Sequence, residues 1–515
     1  MDTSPATRRT SPEVRLPFMV RVLAGVERVG NALPHPFWLF WILAGLLAVL
    51  SAILSAADLS VISPKTHEAV SVRNLLSGEG VAMALSTMVE NFAGFPPMAT
   101  IVVVIMGVAV AERSGFLEAL MKVSVSRVPA HLVVFAVAFA GTVAHLASAA
   151  AYAILVPLGG LAFKAVGRSP VLGIVVAYTS IASGYDASPV PTPNDAIFAG
   201  ITTAAARIVD PEASVSPLSN WYFNIASSFL LALVITLVAS TVLARRPDVR
   251  ADDTGSPDPE ALRLDQRQTR GLLWAGLIVF ALLGAVIAAV IPAGSPLRGP
   301  TGSLDDSPFL EGVAALVGFL FMIGGTVYGK VVGVIGRPGD IPPMMAEGVR
   351  QFAPTLVMFF AIAQFLQYFD WTHLGDVIAV SASQALDRSG MPVAVIFLLV
   401  FGVLSVVNVV ITSGSAMWSI MAPVLVPMLL LLQVPAETTQ AIFRIADSGS
   451  TSISPMSPYF VMALGFLQQY RKDAGIGTLA SYTLPLAVCM TAAWVLLFYL
   501  WWWLGIPLGP GAPVR

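Results

Sequence analysis

Gly184 to Asp195 reads GYDASPVPTPND, and Arg444 to Pro458 reads RIADSGSTSISPMSP. Both stretches are crowded with Pro, Gly, Ser and Asp, so both are predicted to leave the helical conformation. They interrupt sequence that is otherwise strongly apolar. Hydrophobic residues fill 56% of the 515 positions and charged residues 11%, and the mean hydropathy is +0.81, well outside the mix of a water-soluble domain. Many stretches reach the roughly 20 residues a helix needs to cross a bilayer core. Examples are Phe37 to Ala56, Leu132 to Ala151, Trp221 to Ala244, Gly271 to Pro292, Val393 to Thr412 and Thr483 to Gly505. The chain therefore reads as an all-α polytopic membrane protein. In hydrocarbon, unpaired backbone groups are so costly that unwound chain survives only where it lines a protein cavity or holds a ligand.

The two breaks belong to an internal repeat. At one fixed offset Tyr152 meets Trp418, Pro157 meets Pro423, Ser188 meets Ser454 and Pro189 meets Pro455, with Ala150 against Ala416 and Ile181 against Asp447. In each half a small, hydroxyl-bearing segment, HLASAAAY or ITSGSAMW, leads into a proline-interrupted apolar stretch, and a second polar break follows. Discontinuous segments in corresponding positions of two halves point to a secondary transporter and to its binding site. The predicted layout is a first membrane half over 31–244, with a hairpin near 148–163 and a broken helix near 184–195, and a second over 271–515. In the second half the hairpin falls near 413–432 and the broken helix near 444–458.

Arg8, Arg9, Arg15, Arg21 and Arg28 precede the first span, which places residues 1–30 in the cytoplasm by the positive-inside rule. No compact apolar core with a cleavage site is seen there, so no removable signal peptide is expected. The linker over 245–270, with six arginines against six acids, separates the halves. Cys489, the single cysteine, excludes an intrachain disulfide and reads as a small buried hydrophobe. A net charge of −2 offers no footprint for nucleic acid. A membrane-embedded enzyme would account for buried Ser and Asp. The chain has five histidines and no H-E-x-x-H motif, however, and only His145 lies near a break. A channel would also use polar breaks; the repeat favours alternating access instead.

Charges inside spans are costly and tend to be functional. Arg444 and Asp447, three apart, would share a helix face and read either as an internal ion pair or as a functional couple. Asp186 and Asp195 have no basic residue close in sequence, so each is a candidate for a coupling ion or proton, with loop capping as the competing role. Trp418, between Ser415 and Pro423, offers an aromatic platform for an aryl group, and an arginine fork suits a carboxylate. Asn408, alone in the run LSVVNVVITSG, needs a partner for its amide.

At these residues the chain resembles the p-aminobenzoyl-glutamate transporter (AbgT) family. The resemblance runs through most of the chain. It rests on GNALPHPFWLFW at Gly30 to Trp41, ENFAGFPPMATIVVVIMGVAVAERSGF at Glu90 to Phe116, SNWYFNIAS at Ser219 to Ser227, SGSAMWSIMAPVLVPM at Ser413 to Met428 and QAIFRIADS at Gln440 to Ser448. It implies a homodimer in the bacterial inner membrane, each subunit with about nine spanning helices and two re-entrant hairpins. Family transport residues map onto Asp195, Asn408, Ser415, Trp418, Arg444, Asp447 and Pro455. The chain departs from the family in two places. Ala436 stands where a proline is usual, with Pro435 one place earlier, and the first break carries an extra acid, Asp186, and three prolines.

The resemblance implies ion-coupled transport of p-aminobenzoyl-glutamate or a related aryl carboxylate, or else proton-driven efflux of sulfonamide antimetabolites. Asn408, Ser415, Trp418, Arg444 and Pro455 are the expected substrate contacts. Asp186, Asp195 and Asp447 are expected to carry the coupling proton or ion, with sodium at Asp447 and Asn408 as the metal candidate and no other cofactor.

Overall fold

The computed structural model describes residues 34–62, 69–126, 128–147, 150–249, 263–292, 294–299, 302, 307–454 and 457–515. The amino-terminal 1–30 segment, residues 250–262 of the 245–270 linker, Ser148 and Pro455 lie outside the described residues.

Helix α1 (Pro36–Ala56) leads into a small antiparallel hairpin, β1 (Ser60–Ile62) and β2 (Ala69–Ser71), with Val61 opposite Val70. Then come α2 (Gly78–Ser86), α3 (Met88–Ala93), α4 (Pro96–Arg113), α5 (Phe116–Ser126), α6 (Val133–Val143), α7 (Ala150–Ala165), α8 (Pro170–Ala182), α9 (Pro193–Ala206) and α10 (Trp221–Thr241). The second half holds α11 (Gln266–Val290), α12 (Pro308–Val332), α13 (Ile341–Trp371), α14 (Leu374–Arg388), α15 (Val393–Val410), α16 (Gly414–Leu431), α17 (Ala436–Thr451), α18 (Pro458–Gln468) and α19 (Ile476–Leu504). Among the described residues eight helices are long and apolar enough to cross a membrane, against about nine expected, and one of the eight is α16.

Burial separates a periphery from a core. Only 11% of the spanning window of α11 is buried, whereas 67% of that of α16 is, and every residue of α8 is buried. Leu273, Trp274, Phe280 and Ile287 on α11 therefore present large apolar side chains outward, as a lipid-facing helix does.

The peripheral helices α4 and α12 lie backbone against backbone. A Cβ on Gly107 would fall 1.9 Å from the carbonyl oxygen of Gly318, and one on Gly325 would fall 2.6 Å from the backbone of Ala111. Small residues four apart let two helices approach this closely in lipid. Gly107→Val is accordingly expected to lower unfolding stability in detergent by about 1–3 kcal/mol. Gly276→Ala, with no atom within 4 Å of its Cβ, serves as the unchanged control.

The core repeats its own packing: α6 lies on α8 as α15 lies on α17, and α9 on α16 as α18 on α7. Each predicted hairpin segment is one helix, α7 or α16, and its antiparallel partner is the next helix, α8 or α17, reached by a short turn. Gly159 and Gly173 permit the first pair to touch, since a Cβ on Gly173 would meet the Gly159 carbonyl at 2.3 Å. In the second pair Pro435 forms the N-cap of α17 and Ala436 its first residue, so the proline one place early still turns the chain.

Three expectations are corrected. Cys489 is exposed beside Val488 on an outward face of α19, not buried. The apolar run Leu132 to Ala151 is not one helix, because α6 tightens into a 3-10 turn over Ala144–Ala147 before α7 begins at Ala150. Conversely, RIADSGST remains helical to Thr451, and of the described residues only 452–454 and 457 leave the helix before α18. There the Thr451 hydroxyl bonds back to the Asp447 carbonyl at 2.7 Å, so the hydroxyl-rich turn satisfies its own backbone without competing with it. Beyond the end of α10, Arg246 donates to both oxygens of Asp248 and holds that carboxyl below the usual carboxylate range.

Candidate functional site

Four chain breaks meet at a single cavity of about 480 Å³. They are marked by the start of α7, the loop before α9, the extended step over 411–413 before α16, and the start of α18. Ala150, Asn194, Ser415 and Tyr459, each within the first turn of its helix, are on the wall, so four helix N-termini border the space. The positive ends of their aligned peptide dipoles face this space. Among the described residues, the acids on the wall are Glu112 and Asp447, and no lysine or arginine lines it.

Aromatic surface comes from Tyr152 of α7 and Tyr459 of α18, stacked with centroids 4.0 Å apart and planes 2° from parallel. Tyr185, from the first break, completes this side. The far wall is supplied by α4 and α13, the latter with Gln351 and Thr355. The cavity thus lies between the repeated core and the peripheral helices.

Asp447 projects from α17 to the start of α16. A Cβ on Gly414 would come within 2.5 Å of its Oδ2, so only glycine leaves room for the carboxylate at this helix end. Oδ1 of Asp447 is buried without a partner. Asn408 fastens α15 to the same turn, its amide nitrogen donating to the carbonyls of Ala446 and Asp447 and, at 2.9 Å, to the Ser450 hydroxyl. The donor end of Asn408 thus meets this turn, while its oxygen is buried and unpaired. Among the described residues no group of three or more His, Cys, Asp or Glu side chains is gathered to hold a metal.

Behind the wall lies an ion pair that joins the halves. Arg444 Nη2 is 2.7 Å from Asp195 Oδ1, and both side chains are at most 5% exposed. The nitrogen is close to the oxygen but off the axis of a good hydrogen bond, so this is a charge contact rather than a bidentate fork. Asp195 is also an N-cap partner for α9: the Thr192 amide donates to Oδ2 at 2.6 Å and the Thr192 hydroxyl at 2.8 Å. The guanidinium lies over the Phe198 ring at 5.3 Å. Asn224 places its amide oxygen 3.2 Å from Nη1 in the orientation that satisfies both of its ends. Arg444 therefore pairs across the repeat with Asp195, not along its own helix with Asp447.

Trp418 is also enclosed. Its ring stacks on Phe443 at 4.3 Å, and Nε1 donates to the Thr202 hydroxyl at 2.9 Å. From there a polar chain runs through Gln440 (2.6 Å), Asn220 (2.9 Å) and the Glu437 carbonyl (3.0 Å). Of the substrate contacts expected from sequence, Ser415 is on the cavity wall; Asn408, Trp418 and Arg444 are one layer behind it. Of the three expected acids, Asp447 faces the cavity, Asp195 is paired, and Asp186 is enclosed with neither oxygen partnered.

The tyrosine pair, Asn194 and the Thr202–Gln440–Asn220 chain were not singled out by sequence. Part of the signal was present. Asn220, Asn224 and Gln440 lie in SNWYFNIAS and QAIFRIADS, and Tyr152 is the repeat partner of Trp418.

Residues 21–515 match the profile of the AbgT putative transporter family. The p-aminobenzoyl-glutamate transport protein of Escherichia coli (strain K12) is 37% identical over 487 residues, covering 94% of this chain and 95% of that one. The crystal structure of the Alcanivorax borkumensis YdaH transporter, described as having an unusual topology, superposes with a TM-score of 0.86. It is 37% identical, with 93% of this chain and 100% of that chain covered. Neisseria gonorrhoeae MtrF, described as illuminating a class of antimetabolite efflux pumps, gives a TM-score of 0.90 at 35% identity, with 96% and 100% covered. These relatives are transporters, not enzymes.

Proposed function

The chain belongs to the AbgT family of membrane transporters, and from that premise we propose that it moves p-aminobenzoyl-glutamate or a related aryl carboxylate across the bacterial inner membrane, coupled to an ion gradient. The observation that carries this reading is the cavity between core and periphery, with four helix N-termini and a stacked tyrosine pair on its wall. Its volume lies within the roughly 300–1,000 Å³ of small-molecule sites. A carboxylate is received at the positive dipole ends of α7, α9, α16 and α18, as anionic groups are at broken transporter helices. The aryl ring lies against Tyr152 and Tyr459.

Arg444, Trp418 and Asn408 act one layer back, holding the helix ends that form the wall. Asp447 exchanges the coupling proton, and sodium is the alternative driver. Moving one charge through 100 mV supplies about 2.3 kcal/mol, enough to concentrate a solute about fiftyfold. Two copies forming a homodimer and a cytoplasmic amino terminus complete the proposal.

A second reading, efflux of sulfonamide antimetabolites, is favoured by the likeness to MtrF. A sulfonamide offers the same aminophenyl ring to the tyrosine pair.

Uptake of radiolabelled p-aminobenzoyl-glutamate into proteoliposomes under imposed proton or sodium gradients tests both readings. The expected result is saturable uptake that needs one gradient and is lost in Asp447→Asn. Tyr152→Ala and Tyr459→Ala should each raise KM about two- to tenfold, the worth of one aromatic contact. Uptake indifferent to both gradients would overturn coupling, and movement of sulfonamides alone would transfer the function to efflux.

A further inference from the structure

Among the described residues, the buried side chains of Asp, Glu, Lys or Arg are four: Asp186, Asp195, Arg444 and Asp447. Three acids therefore share one base where the halves meet. Arg444 and Asp195 neutralise one another, and Asp447 opens on the cavity at the start of α16. Asp186 has neither arrangement. It is 3% exposed and absent from the cavity wall, and both carboxylate oxygens are without a partner.

What holds Asp186 in place is its backbone. Its N–H donates to the Ser448 hydroxyl of α17 at 3.2 Å. Beside it the end of α8 is closed onto the end of α17 by Ser183, whose hydroxyl meets that of Ser452 at 2.6 Å. The charged and titratable groups facing it are Arg444 and Asp447 from α17, Asp195 from α9 and Tyr185 from its own loop. The single cation among them is already engaged. The ends of α8 and α17 that meet here are C-termini, whose dipoles disfavour a further negative charge. An ionised carboxylate in such a place would be desolvated with only the already paired Arg444 to offset it, and groups so placed take up a proton instead.

We propose that Asp186 is a proton-carrying site separate from Asp447, protonated while the α8 and α17 ends are clasped and released to water only when that clasp opens. The step is a simple protonation. One carboxylate oxygen of Asp186 forms an O–H bond with a proton taken from water on one side of the membrane. That bond breaks to return the proton to water on the other, and no electrons are exchanged. The direction of proton flow rests on the transporter reading; the enclosed, protonated state does not.

Infrared difference spectroscopy of the full chain in lipid, compared in H2O and D2O at pH 7, tests this without any transported substrate. Wild type is expected to show a protonated carboxyl C=O band that shifts down in D2O. Asp186→Asn, which mimics the neutral acid in shape, should lose a component of that band with an unchanged unfolding midpoint, and Asp186→Ser should lose the same component. Asp447→Asn should leave it in place. A wild type without such a band, or an Asp186→Asn spectrum identical to wild type, would overturn the proposal and make Asp186 an ionised group with a bound cation. Loss of the band in a protein that moves no aryl carboxylate would leave Asp186 a proton site and remove only the proposed substrate.

Discussion

Arg444→Ala is expected to destabilise the fold by about 3–5 kcal/mol, the usual consequence of stranding one member of a buried ion pair. The stranded group is Asp195, which retains its two hydrogen bonds from Thr192 but loses its arginine partner. Two further contacts go with the guanidinium: the Phe198 ring beneath it and the Asn224 amide beside it. Because Asp195 is on α9 and Arg444 on α17, the loss falls on the joint between the two halves. Chemical or thermal unfolding in detergent measures it. The double variant Arg444→Met with Asp195→Asn should recover most of the loss, since two neutral groups of similar size carry no uncompensated charge. An arginine that contacts substrate directly would behave differently. Its removal would leave the unfolding midpoint nearly unchanged while KM rose, and that result would move Arg444 from the second layer to the cavity wall.

Gly414→Ala should have the opposite signature, a folded protein that no longer transports. The added methyl would sit 2.5 Å from Asp447 Oδ2, a distance no Cβ tolerates, and the carboxylate is the freer of the two to move. Asp447 would turn away from the α16 N-terminus and from the cavity. A displacement of about 1 Å at a working group costs on the order of a hundredfold in rate, so coupled uptake should fall by about that factor while the unfolding midpoint holds. Gly465→Ala, on α18 where nothing lies within 4 Å, controls for a glycine replaced at an exposed helix position. Normal gradient-driven uptake by Gly414→Ala would mean that the position of Asp447 is not part of coupling.

The two experiments separate roles that sequence placed together. Arg444 and Asp447 are three apart, so helical geometry makes them neighbours. In the folded chain they face different ways, Arg444 inward to Asp195 and Asp447 outward to Gly414. Local spacing specifies the helix face, but which partner occupies the space beside it depends on elements from the other half of the chain. Trp418 carries the same lesson. An aromatic residue beside a proline break suggests a platform for substrate, yet Phe443 and the Thr202 hydroxyl enclose it. Its repeat partner Tyr152 is the ring on the wall.

The break at Gly184 to Asp195 was legible because Pro189, Pro191 and Pro193 cannot all continue a helix. The second break was legible in position but not in extent, since Ser and Thr in RIADSGST can either end a helix or bond back to it. Sequence by itself determined the membrane class, the two-fold repeat, the sites of chain interruption and the family, because these depend on composition, period and motif, which are properties of residue order. Only the tertiary structure decided that four helix starts share one cavity, that Arg444 answers Asp195, and that Asp186 is enclosed without a partner. Those facts depend on distances between residues more than two hundred positions apart, which packing sets and local propensity does not.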